Sequence, residues 1–404
     1  MAKIAVLGYG TVGSGLVEVL ERNSAVARKQ AGEEVLVKYI LDLRDFPGDP
    51  YEDRVIHDYN IILNDPEVSV VCEAMGGVGA AYQFTKQALE AGKSVCTSNK
   101  ELVAKHGAKL LGIAAQKSCN YMFEASVGGG IPIIRAINTS LVTERIEEIT
   151  GILNGTTNYI LTRMEREGAD YGQVLKQAQE LGYAERNPEA DVEGWDTCRK
   201  IAILASLVTG KNVDSEKIHT EGITGISGAD FAYAEAADMT VKLLASCRFN
   251  EDGSVRAMVA PFMISRDHYF AGVNDVFNGI LVAGDMVGEV SFGGRGAGKL
   301  PTASAVAADV VNCVRSRGRN ISCTWKPEEV RLEDPGESER RFFIRASASE
   351  RGAVEKAFGE GTGFVKLPEG GGEFGFFTPV MKEKDFDEKC SALGAAVLSR
   401  IRLA

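Results

Sequence analysis

The sequence predicts an α/β protein built from a doubly wound parallel sheet, a second α+β domain and a small α+β domain at the C-terminus. Three observations carry this prediction. The first third of the chain alternates short apolar strands with amphipathic helices, longer helices separated by strands begin near residue 133, and the rhythm changes again after residue 315.

The first third predicts a β-α-β succession. It begins with the strand KIAVLGYG and a helix over residues 12–23, and a polar insert at residues 23–34 precedes the strand VKYILDL. The strand VSVVCEAMGG, a helix over residues 80–91 and the strand KSVCTSN follow. A helix over residues 100–116 and the strand NYMFEAS complete the succession. Strands joined by helices in this way pair in parallel.

The rest of the chain predicts two α+β regions. The first includes the segments ERIEEITGIL, YGQVLKQAQELG, DTCRKIAILASLVTG and DFAYAEAADMTVKLLASCRF. The second, with RRFFIRASA, AVEKAFGEG, GGEFGFFTPV and DEKCSALGAAVLSRIRL, predicts a strand-helix-strand-helix appendage with a glycine-rich loop at residues 361–375. The predicted domains are residues 1–132, completed by about 293–320, then 133–292 and 339–404.

Composition excludes several classes of protein. A length of 404 residues, with 45% hydrophobic and 25% charged residues, is typical of a globular protein with two or three domains. The net charge of −11 argues against a nucleic-acid partner, because phosphate binding needs a basic face. No signal peptide precedes the first strand, no apolar stretch approaches the roughly 20 residues that span a membrane, and the eight cysteines are scattered. We therefore expect a cytoplasmic protein with reduced thiols.

The turn GYGTVG, between the first strand and the first helix, carries a G-x-G-x-x-G fingerprint. Gly8 suits the tight turn, Gly10 allows a pyrophosphate to approach the backbone, and Gly13 allows close packing of helix on strand. With Thr11 and Val12, this turn is predicted to bind a dinucleotide in a Rossmann-type domain. A glycine turn in another fold is the alternative.

Further candidates follow the next strands at the same carboxyl edge. Asp42 is suited to the ribose hydroxyls of NAD, whereas Arg44 is suited to the 2′-phosphate of NADP, so the choice between NAD and NADP stays open. Gly76 follows the third strand, and Ser98 and Lys100 follow the next one, where open α/β sheets bind ligands. For Lys100, a merely solvated lysine is the alternative.

The stretch ADVEGWDTCRKIAIL places an acid and a base at the start of an apolar helix. Asp196 and Lys200 are spaced i,i+4 and share a helix face. One interpretation is a surface ion pair, which contributes only about 0.3–0.5 kcal/mol. The apolar residues that follow Lys200 indicate a buried helix, so its charged first turn is expected to face a cleft or another chain.

Seven stretches, in order over roughly residues 1–312, resemble homoserine dehydrogenase. They are GYGTVG, DPEVSVVCEAMGG, GKSVCTSNKELVAKHG, FEASVGGGIPIIR, GILNGTTNYILTRM, GYAERNPEADVEGWDTCRKIAIL and GRGAGKLPTASAVAADVV. The resemblance implies NAD(P)-dependent interconversion of L-homoserine and L-aspartate 4-semialdehyde, on the route to threonine, methionine and isoleucine. It also implies a monofunctional enzyme and a homodimer formed through the second domain, which binds the substrate.

The resemblance also implies roles for individual residues. Lys200 matches the catalytic lysine, with Asp196 beside it and Lys100 assisting. Substrate binding is implied for Glu185, Asp191, Gly155 and Thr156. Hydride transfer to an aldehyde carbon leaves negative charge on its oxygen, so a lysine that donates a proton fits the chemistry. For the NGTT sequence that contains Gly155, a capped helix start is the alternative, and both interpretations can hold together.

Two other glycine-rich segments receive roles from the resemblance. FEASVGGGIPII is implied to hold a sodium ion through Glu124 and the carbonyl oxygens of Val127, Gly129 and Ile131, while a hinge is the alternative. GRGAGKLPTASAV is implied to return to the dinucleotide domain and contact the cofactor near Gly296.

Two other classes of protein explain fewer of these candidate residues than homoserine dehydrogenase does. Another Rossmann-type dehydrogenase, such as aspartate semialdehyde dehydrogenase, needs a nucleophilic cysteine, and no cysteine occupies a suitable turn. A non-catalytic nucleotide-sensing protein has no need of Lys100, Glu185, Asp196 and Lys200 together.

The C-terminal tail resembles an ACT-type module only in its alternation of strands and helices, since SASERGAV replaces the expected Asp-x-Pro-Gly turn. Threonine regulation, dimer stabilisation and covering of a sheet edge are the alternatives for it.

Overall fold

The computed structural model describes residues 1–359, 363–365 and 372–404, and it divides into two compact units. Unit 1 comprises Met1–Arg145, Ala202–Ser215 and Phe292–Val330, and unit 2 comprises Ile146–Ile201, Glu216–Ser291 and Arg331–Ala404. Across the described residues, each helix is too short or too polar to cross a membrane.

The helices and strands are labelled in chain order. The helices are α1 (Thr11–Arg22), α2 (Ser24–Ala31), α3 (Tyr59–Asn64), α4 (Gly79–Glu90), α5 (Lys100–Gln116), α6 (Ile133–Arg135), α7 (Gly155–Glu167), α8 (Tyr171–Glu180), α9 (Glu189–Val192), α10 (Trp195–Thr209), α11 (Gly228–Ala236), α12 (Lys299–Arg315), α13 (Arg351–Phe358) and α14 (Glu383–Leu393). The strands are β1 (Ala2–Leu7), β2 (Val35–Leu41), β3 (Val55–Ile56), β4 (Val68–Glu73), β5 (Ser94–Thr97), β6 (Tyr121–Met122), β7 (Ile146–Ile152), β8 (Lys211–Asn212), β9 (His219–Thr220), β10 (Met239–Phe249), β11 (Val255–Ser265), β12 (Phe277–Gly284), β13 (Gly288–Arg295), β14 (Lys326–Glu329), β15 (Glu339–Arg340), β16 (Phe342–Ser347), β17 (Gly363–Val365), β18 (Glu373–Phe377), β19 (Met381–Lys382) and β20 (Val397–Leu403).

Unit 1 contains the predicted doubly wound sheet. Its strands run in the order β3-β2-β1-β4-β5-β6 and pair in parallel. This is the strand order of a dinucleotide-binding Rossmann fold, so the predicted fold class is confirmed. The strands are rich in valine, isoleucine and cysteine because the sheet is buried on both faces. Helix α12 packs on α1, and both contribute to one buried cluster with β1 and β4.

Residues 23–34, which the sequence predicts as a polar insert, form a further helix. α2 spans Ser24–Ala31, and it ends at Gly32, whose φ of 81° provides a left-handed C-cap. The helix has no buried residue. It therefore lacks the apolar stripe by which an amphipathic helix is recognised from sequence.

Unit 2 contains a long mixed sheet, which confirms the predicted α+β character of the second region. Its path is β13-β12-β7-β10-β11-β20-β16-β18-β17, with β9 paired to β11. The two longest strands, β10 and β11, form an antiparallel hairpin at its centre. Helix α7 follows β7 directly and packs on β10 and β12, which fixes the start of this helix against the sheet.

The C-terminal region is β-α-β-β-α-β rather than the predicted strand-helix-strand-helix. Four strands, β16, β17, β18 and β20, form an antiparallel sheet in the order β20-β16-β18-β17, and α13 and α14 are the two helices of the region. The predicted loop at 361–375 was wrong in part, because β17 and β18 lie within or overlap it, while residues 360–362 and 366–371 lie outside the described residues. β20 also pairs in parallel with β11, so this module continues the sheet of unit 2 and covers the edge of that strand.

Candidate active site

The glycine turn after β1 has the geometry that a dinucleotide requires. Gly8 has a φ of +89°, and a Cβ there would lie 2.9 Å from a carbonyl oxygen of the loop after β4. A Cβ on Gly13 would lie 1.8 Å from the Gly8 carbonyl oxygen. A Cβ on Gly10 would meet no heavy atom of the described chain within 4 Å. Gly8 and Gly13 are thus required by the fold, whereas Gly10 leaves the start of α1, at Thr11 and Val12, open to a pyrophosphate.

Asp42 and Arg44 face each other at the end of β2. The Arg44 side chain donates through Nε at 3.0 Å and through a terminal nitrogen at 3.1 Å to the Asp42 carboxylate, and the Tyr9 amide donates to it at 2.8 Å. The hydrogen bonding from the Arg44 side chain has the largest effect on the pKa of Asp42. With the backbone hydrogen bonds and the charge of the guanidinium, it holds this pKa well below its usual range. The carboxylate is therefore tied to the glycine turn through Tyr9. A 2′-phosphate would therefore compete with Asp42 for the two guanidinium nitrogens that this pair uses.

A buried carboxylate that the sequence interpretation missed organises the two loops after β4 and β5. Glu73 is 0% exposed, and its carboxylate accepts from the Met75 amide at 2.8 Å and from the Thr97 hydroxyl at 2.6 Å. The Thr97 hydroxyl in turn accepts from the Asn99 amide, and the Asn99 side chain donates to the Gly77 carbonyl oxygen at 2.6 Å. Burial raises the pKa of Glu73. Its signal in the sequence is an acid at the end of an otherwise apolar strand.

This network positions three predicted cofactor residues. Gly76 lies in the loop after β4 with a φ of +79°, and Ser98 lies between the bonded Thr97 and Asn99. Lys100 is the first residue of α5, whose start is capped by the Asn99 side chain. The structure thus brings these residues to the carboxyl edge of the sheet, and their roles stay predictions.

The segment predicted to bind sodium contains a buried carboxylate whose partners are backbone amides. The Glu124 carboxylate accepts from the backbone amides of Ile134 at 2.8 Å and Arg135 at 2.9 Å, so it caps the short helix α6. Burial, together with the nearby Asp309 carboxylate, raises the pKa of Glu124 to about 7. Among the described residues, there is no group of three or more His, Cys, Asp or Glu side chains that could hold a metal ion. This geometry does not support a sodium ion.

The glycine segments of this region pack directly on each other. A Cβ on Gly129 would lie 2.5 Å from the Gly296 carbonyl oxygen, so this approach requires glycine. Val127 and Ile131 are buried on either side of Gly129. Gly296 is buried just before α12, and this late segment belongs to unit 1 together with the glycine turn.

In unit 2, the first turns of α10 carry a buried ion pair. Lys200 Nζ donates to Asp196 Oδ2 at 2.6 Å and to the Leu153 carbonyl oxygen at 2.7 Å, and both charged residues are less than a tenth exposed. Asn154 Nδ2 donates to Asp196 at 2.8 Å and to Asp191 at 2.8 Å. The interpretation as an exposed surface pair was therefore wrong. Asn154, which sequence reasoning treated only as a helix cap, joins both carboxylates.

The start of α7 lies beside this ion pair in space, although the two are far apart in the chain. Asn154 Oδ1 accepts from the Thr157 amide at 2.9 Å, which confirms the predicted capped helix start. A Cβ on Gly155 would lie 2.9 Å from the Val276 carbonyl oxygen, so packing within unit 2 also requires this glycine. One residue, Asn154, thus both caps the helix and orients the two carboxylates.

The remaining predicted substrate residues lie in one loop and at the helix start. The Thr156 hydroxyl donates to the Tyr183 carbonyl oxygen at 2.6 Å, so it holds the 183–185 segment against α7. The Glu185 side chain is exposed, and its carbonyl oxygen accepts from the Gln179 side chain at 3.0 Å. Unit 2 therefore gathers a desolvated ammonium group, carboxylates and a helix start with free amides in one region, which suits a small zwitterionic substrate.

Comparison with known protein families gives matches over most of the chain. Residues 132–311 match the family described as homoserine dehydrogenase, and residues 8–124 match that described as homoserine dehydrogenase, NAD binding domain. The homoserine dehydrogenase of Synechocystis is 45% identical over 318 residues, which are 77% of this chain and 73% of that protein. The homoserine dehydrogenase of Bacillus subtilis is 38% identical over 354 residues, 85% of this chain and 80% of that protein.

Solved structures agree with these matches. The crystal structure of a homoserine dehydrogenase from Thiobacillus denitrificans has a TM-score of 0.90 and 32% identity, and it covers 100% of this chain and 98% of its own. A hyperthermophilic archaeal homoserine dehydrogenase in complex with NADPH has a TM-score of 0.65 and 26% identity, and covers 77% of this chain and 97% of its own.

Proposed function

The chain belongs to the homoserine dehydrogenase family of NAD(P)-dependent oxidoreductases, and from that premise we propose that Lys200 is its proton donor and acceptor. The reaction interconverts L-homoserine and L-aspartate 4-semialdehyde. The nicotinamide cofactor supplies or accepts the hydride when it is bound. In the direction of reduction, Lys200 gives a proton to the oxygen that becomes negative, and in oxidation it takes the proton of the hydroxyl.

The buried ion pair is the observation that carries this proposal. Lys200 Nζ is fixed by Asp196 at 2.6 Å and by the Leu153 carbonyl oxygen at 2.7 Å, so the ammonium needs little reorganisation to meet a developing oxyanion. Asp196 orients the lysine and Asn154 orients Asp196. In this proposal, Lys100 at the start of α5 assists Lys200. The family resemblance implies this second lysine.

The cofactor is proposed to bind to residues 1–132, completed by residues 293–320. The glycine turn holds the pyrophosphate, Asp42 and Arg44 hold the adenosine ribose or its phosphate, and Gly76, Ser98 and Gly296 are further contacts. The close approach at Gly13 and the open side of Gly10 support this assignment, because the fold itself does not require Gly10 to be glycine.

The substrate is proposed to bind to residues 133–292. Glu185 and Asp191 hold its ammonium group, and the amides at Gly155 and Thr156 hold its carboxylate. The bonded positions of Thr156 and Asp191 beside the capped start of α7 support this arrangement. A homodimer is also proposed, on the family resemblance, and sedimentation analysis should give twice the chain mass of 43.3 kDa.

The direct test is oxidation of L-homoserine with NAD and with NADP in parallel. The absorbance of the reduced nicotinamide should rise with at least one cofactor and should need both substrates. D-homoserine is the matched control, because it has the same reactive hydroxyl and the wrong arrangement around Cα. Equal rates with the two enantiomers would contradict the proposed placement of the ammonium and carboxylate groups.

A further inference from the structure

The last strand of the chain carries an arginine that joins the C-terminal module to the segment of residues 219–223. Arg402, in β20, is 6% exposed, and its terminal nitrogens donate to both oxygens of Glu221 at 2.8 and 2.7 Å. On its other side, Arg402 Nε donates to Glu383 of α14 at 2.9 Å. His219 Nε2 lies 2.8 Å from Glu221 Oε1. Charge-assisted pairs with two parallel hydrogen bonds fix geometry as well as energy.

The 219–223 segment packs directly on the turn that leads into α10. The Ile223 amide donates to the Val192 carbonyl oxygen at 2.8 Å. A Cβ on Gly222 would lie 2.2 Å from that same oxygen, so the approach is as close as backbone allows. Gly194, with a φ of +83°, has Glu221 on its other side, since a Cβ there would lie 3.3 Å from the Glu221 carbonyl oxygen.

That turn, residues 191–194, is linked to the Lys200–Asp196 pair through Asn154 and through the start of α10. It begins with Asp191, which Asn154 joins to Asp196, and the Gly194 carbonyl oxygen accepts the Cys198 amide as α10 starts. A displacement of the 219–223 segment must therefore move residues 191–194, because no side chain separates the two backbones at Gly222.

We propose that Arg402 and Glu221 are positioning residues for the Lys200–Asp196 pair, acting through the backbone contact between the 219–223 segment and the 191–194 turn. The inference rests on the proposed function and extends it to the C-terminal module. The named partners of the Arg402–Glu221 pair, His219 and Glu383, belong to unit 2 as the pair itself does. Loss of the pair should affect the handling of L-homoserine and leave cofactor binding unchanged.

The test compares Arg402→Gln, Glu221→Gln and the double variant in the full-length chain. For each, we would measure kcat and KM for L-homoserine, the Kd of the reduced cofactor by fluorescence, and the free energy of unfolding in urea. Each single variant should lower kcat/KM for L-homoserine roughly tenfold, since a displacement well under 1 Å is enough for such a loss. The Kd of the cofactor should change less than about twofold, and the double variant should be no worse than the worse single variant.

Arg400→Gln is the matched control. Arg400 lies on the same strand, is exposed and pairs only with exposed Asp387 among its ion pairs in the described residues, so its loss should leave every value unchanged. If Arg402→Gln does not fold because Glu383 is left buried without it, Glu221→Gln carries the test alone, as Glu221 is more exposed. Amide exchange of residues 191–200 should quicken in that variant.

The outcomes separate the two proposals. A wild-type protein that does not oxidise L-homoserine would refute the proposed function, and the inference would fall with it. An active wild type with unchanged kcat/KM in Glu221→Gln would refute the inference alone. Equal losses in kcat/KM for L-homoserine and in affinity for the reduced cofactor would also refute the inference, because they would indicate general destabilisation rather than positioning.

Discussion

Replacement of Glu73 should separate its hydrogen bonding from its charge. The carboxylate is fully buried and accepts from the Met75 amide and the Thr97 hydroxyl. Glu73→Leu leaves both donors without this acceptor, at about 1–3 kcal/mol for each. Part of this cost is offset because the variant no longer has to bury a polar carboxyl group. We expect a net loss of about 2 kcal/mol or more in the free energy of unfolding.

Glu73→Gln should behave differently because it keeps both contacts. The amide oxygen can accept from Met75, and the amide nitrogen can donate to the Thr97 hydroxyl, which has a free lone pair for this bond. We expect a change within about 1 kcal/mol. The Leu variant should also weaken cofactor binding several-fold, because the loops that carry Gly76 and Lys100 lose their common anchor, whereas the Gln variant should bind normally.

The pH dependence of stability gives a second readout for Glu73. Burial raises its pKa in the folded protein, so the folded state holds a proton that the unfolded chain has already released. The free energy of unfolding should therefore fall as pH rises from about 4.3, the ordinary glutamate value, to the raised pKa. Glu73→Gln abolishes this contribution, so the stability of the wild type relative to the Gln variant should decrease over that range.

Urea unfolding from pH 4 to 8 and fluorescence titration of the reduced cofactor provide the assay. Glu90→Gln is the control, since Glu90 is exposed and pairs with Lys86 at 3.4 Å, and its effect should stay under about 0.5 kcal/mol. A Gln variant less stable than the Leu variant would refute the proposed hydrogen bonding. If the difference in the free energy of unfolding between the wild type and Glu73→Gln does not vary with pH, the raised pKa of Glu73 is refuted.

Three other predictions follow from the described contacts. Lys200→Ala should retain cofactor binding while kcat falls about 100-fold or more, whereas Lys86→Ala, which removes a partly exposed lysine of the same i,i+4 spacing, should keep full activity; an undiminished rate in Lys200→Ala would exclude Lys200 from the mechanism. Asp42→Asn should raise the ratio of kcat/KM for NADP to that for NAD roughly tenfold, and Arg44→Ala should lower it, because the first frees the guanidinium for a 2′-phosphate and the second removes it; shifts in the same direction would contradict the pairing. Burial lowers the pKa of Lys242 to about 8, so the free energy of unfolding should rise as pH increases from about 8 to 10.5, and Lys242→Met should abolish this slope in urea unfolding.

The fold could be predicted where apolar periodicity is strong. The parallel strands and the helices from residues 12 and 100 are recognisable because their buried faces dictate an apolar pattern. α2 was missed because it has no fully buried residue and packs on the core only through two small alanines, so its sequence carries no strong apolar face. β17 was missed because glycines precede and follow it in the sequence, and β20 was missed because it follows α14 in a segment that the sequence predicts as a single helix.

The site could be predicted only as a set of residue types at strand and helix ends. Sequence spacing predicts that Asp196 and Lys200 share a helix face, and the structure confirms their ion pair. It cannot show that Asn154, some forty residues earlier, donates to Asp191 and Asp196 at once. Glu73 and Arg402 escape notice for the same reason: each acts through partners that are distant in the chain.

The energetics of the Lys200–Asp196 pair explain why its burial points to chemistry. An i,i+4 pair nearer to solvent, such as Lys86–Glu90, stabilises a helix by a few tenths of a kcal/mol and loses less hydration. Lys200 and Asp196 are each less than a tenth exposed, and desolvation of two charges offsets most or all of their attraction. Apolar residues would fill this position at least as favourably. The pair therefore does not account for the stability of α10, and its burial is what the proposed role of Lys200 as proton donor and acceptor leads us to expect.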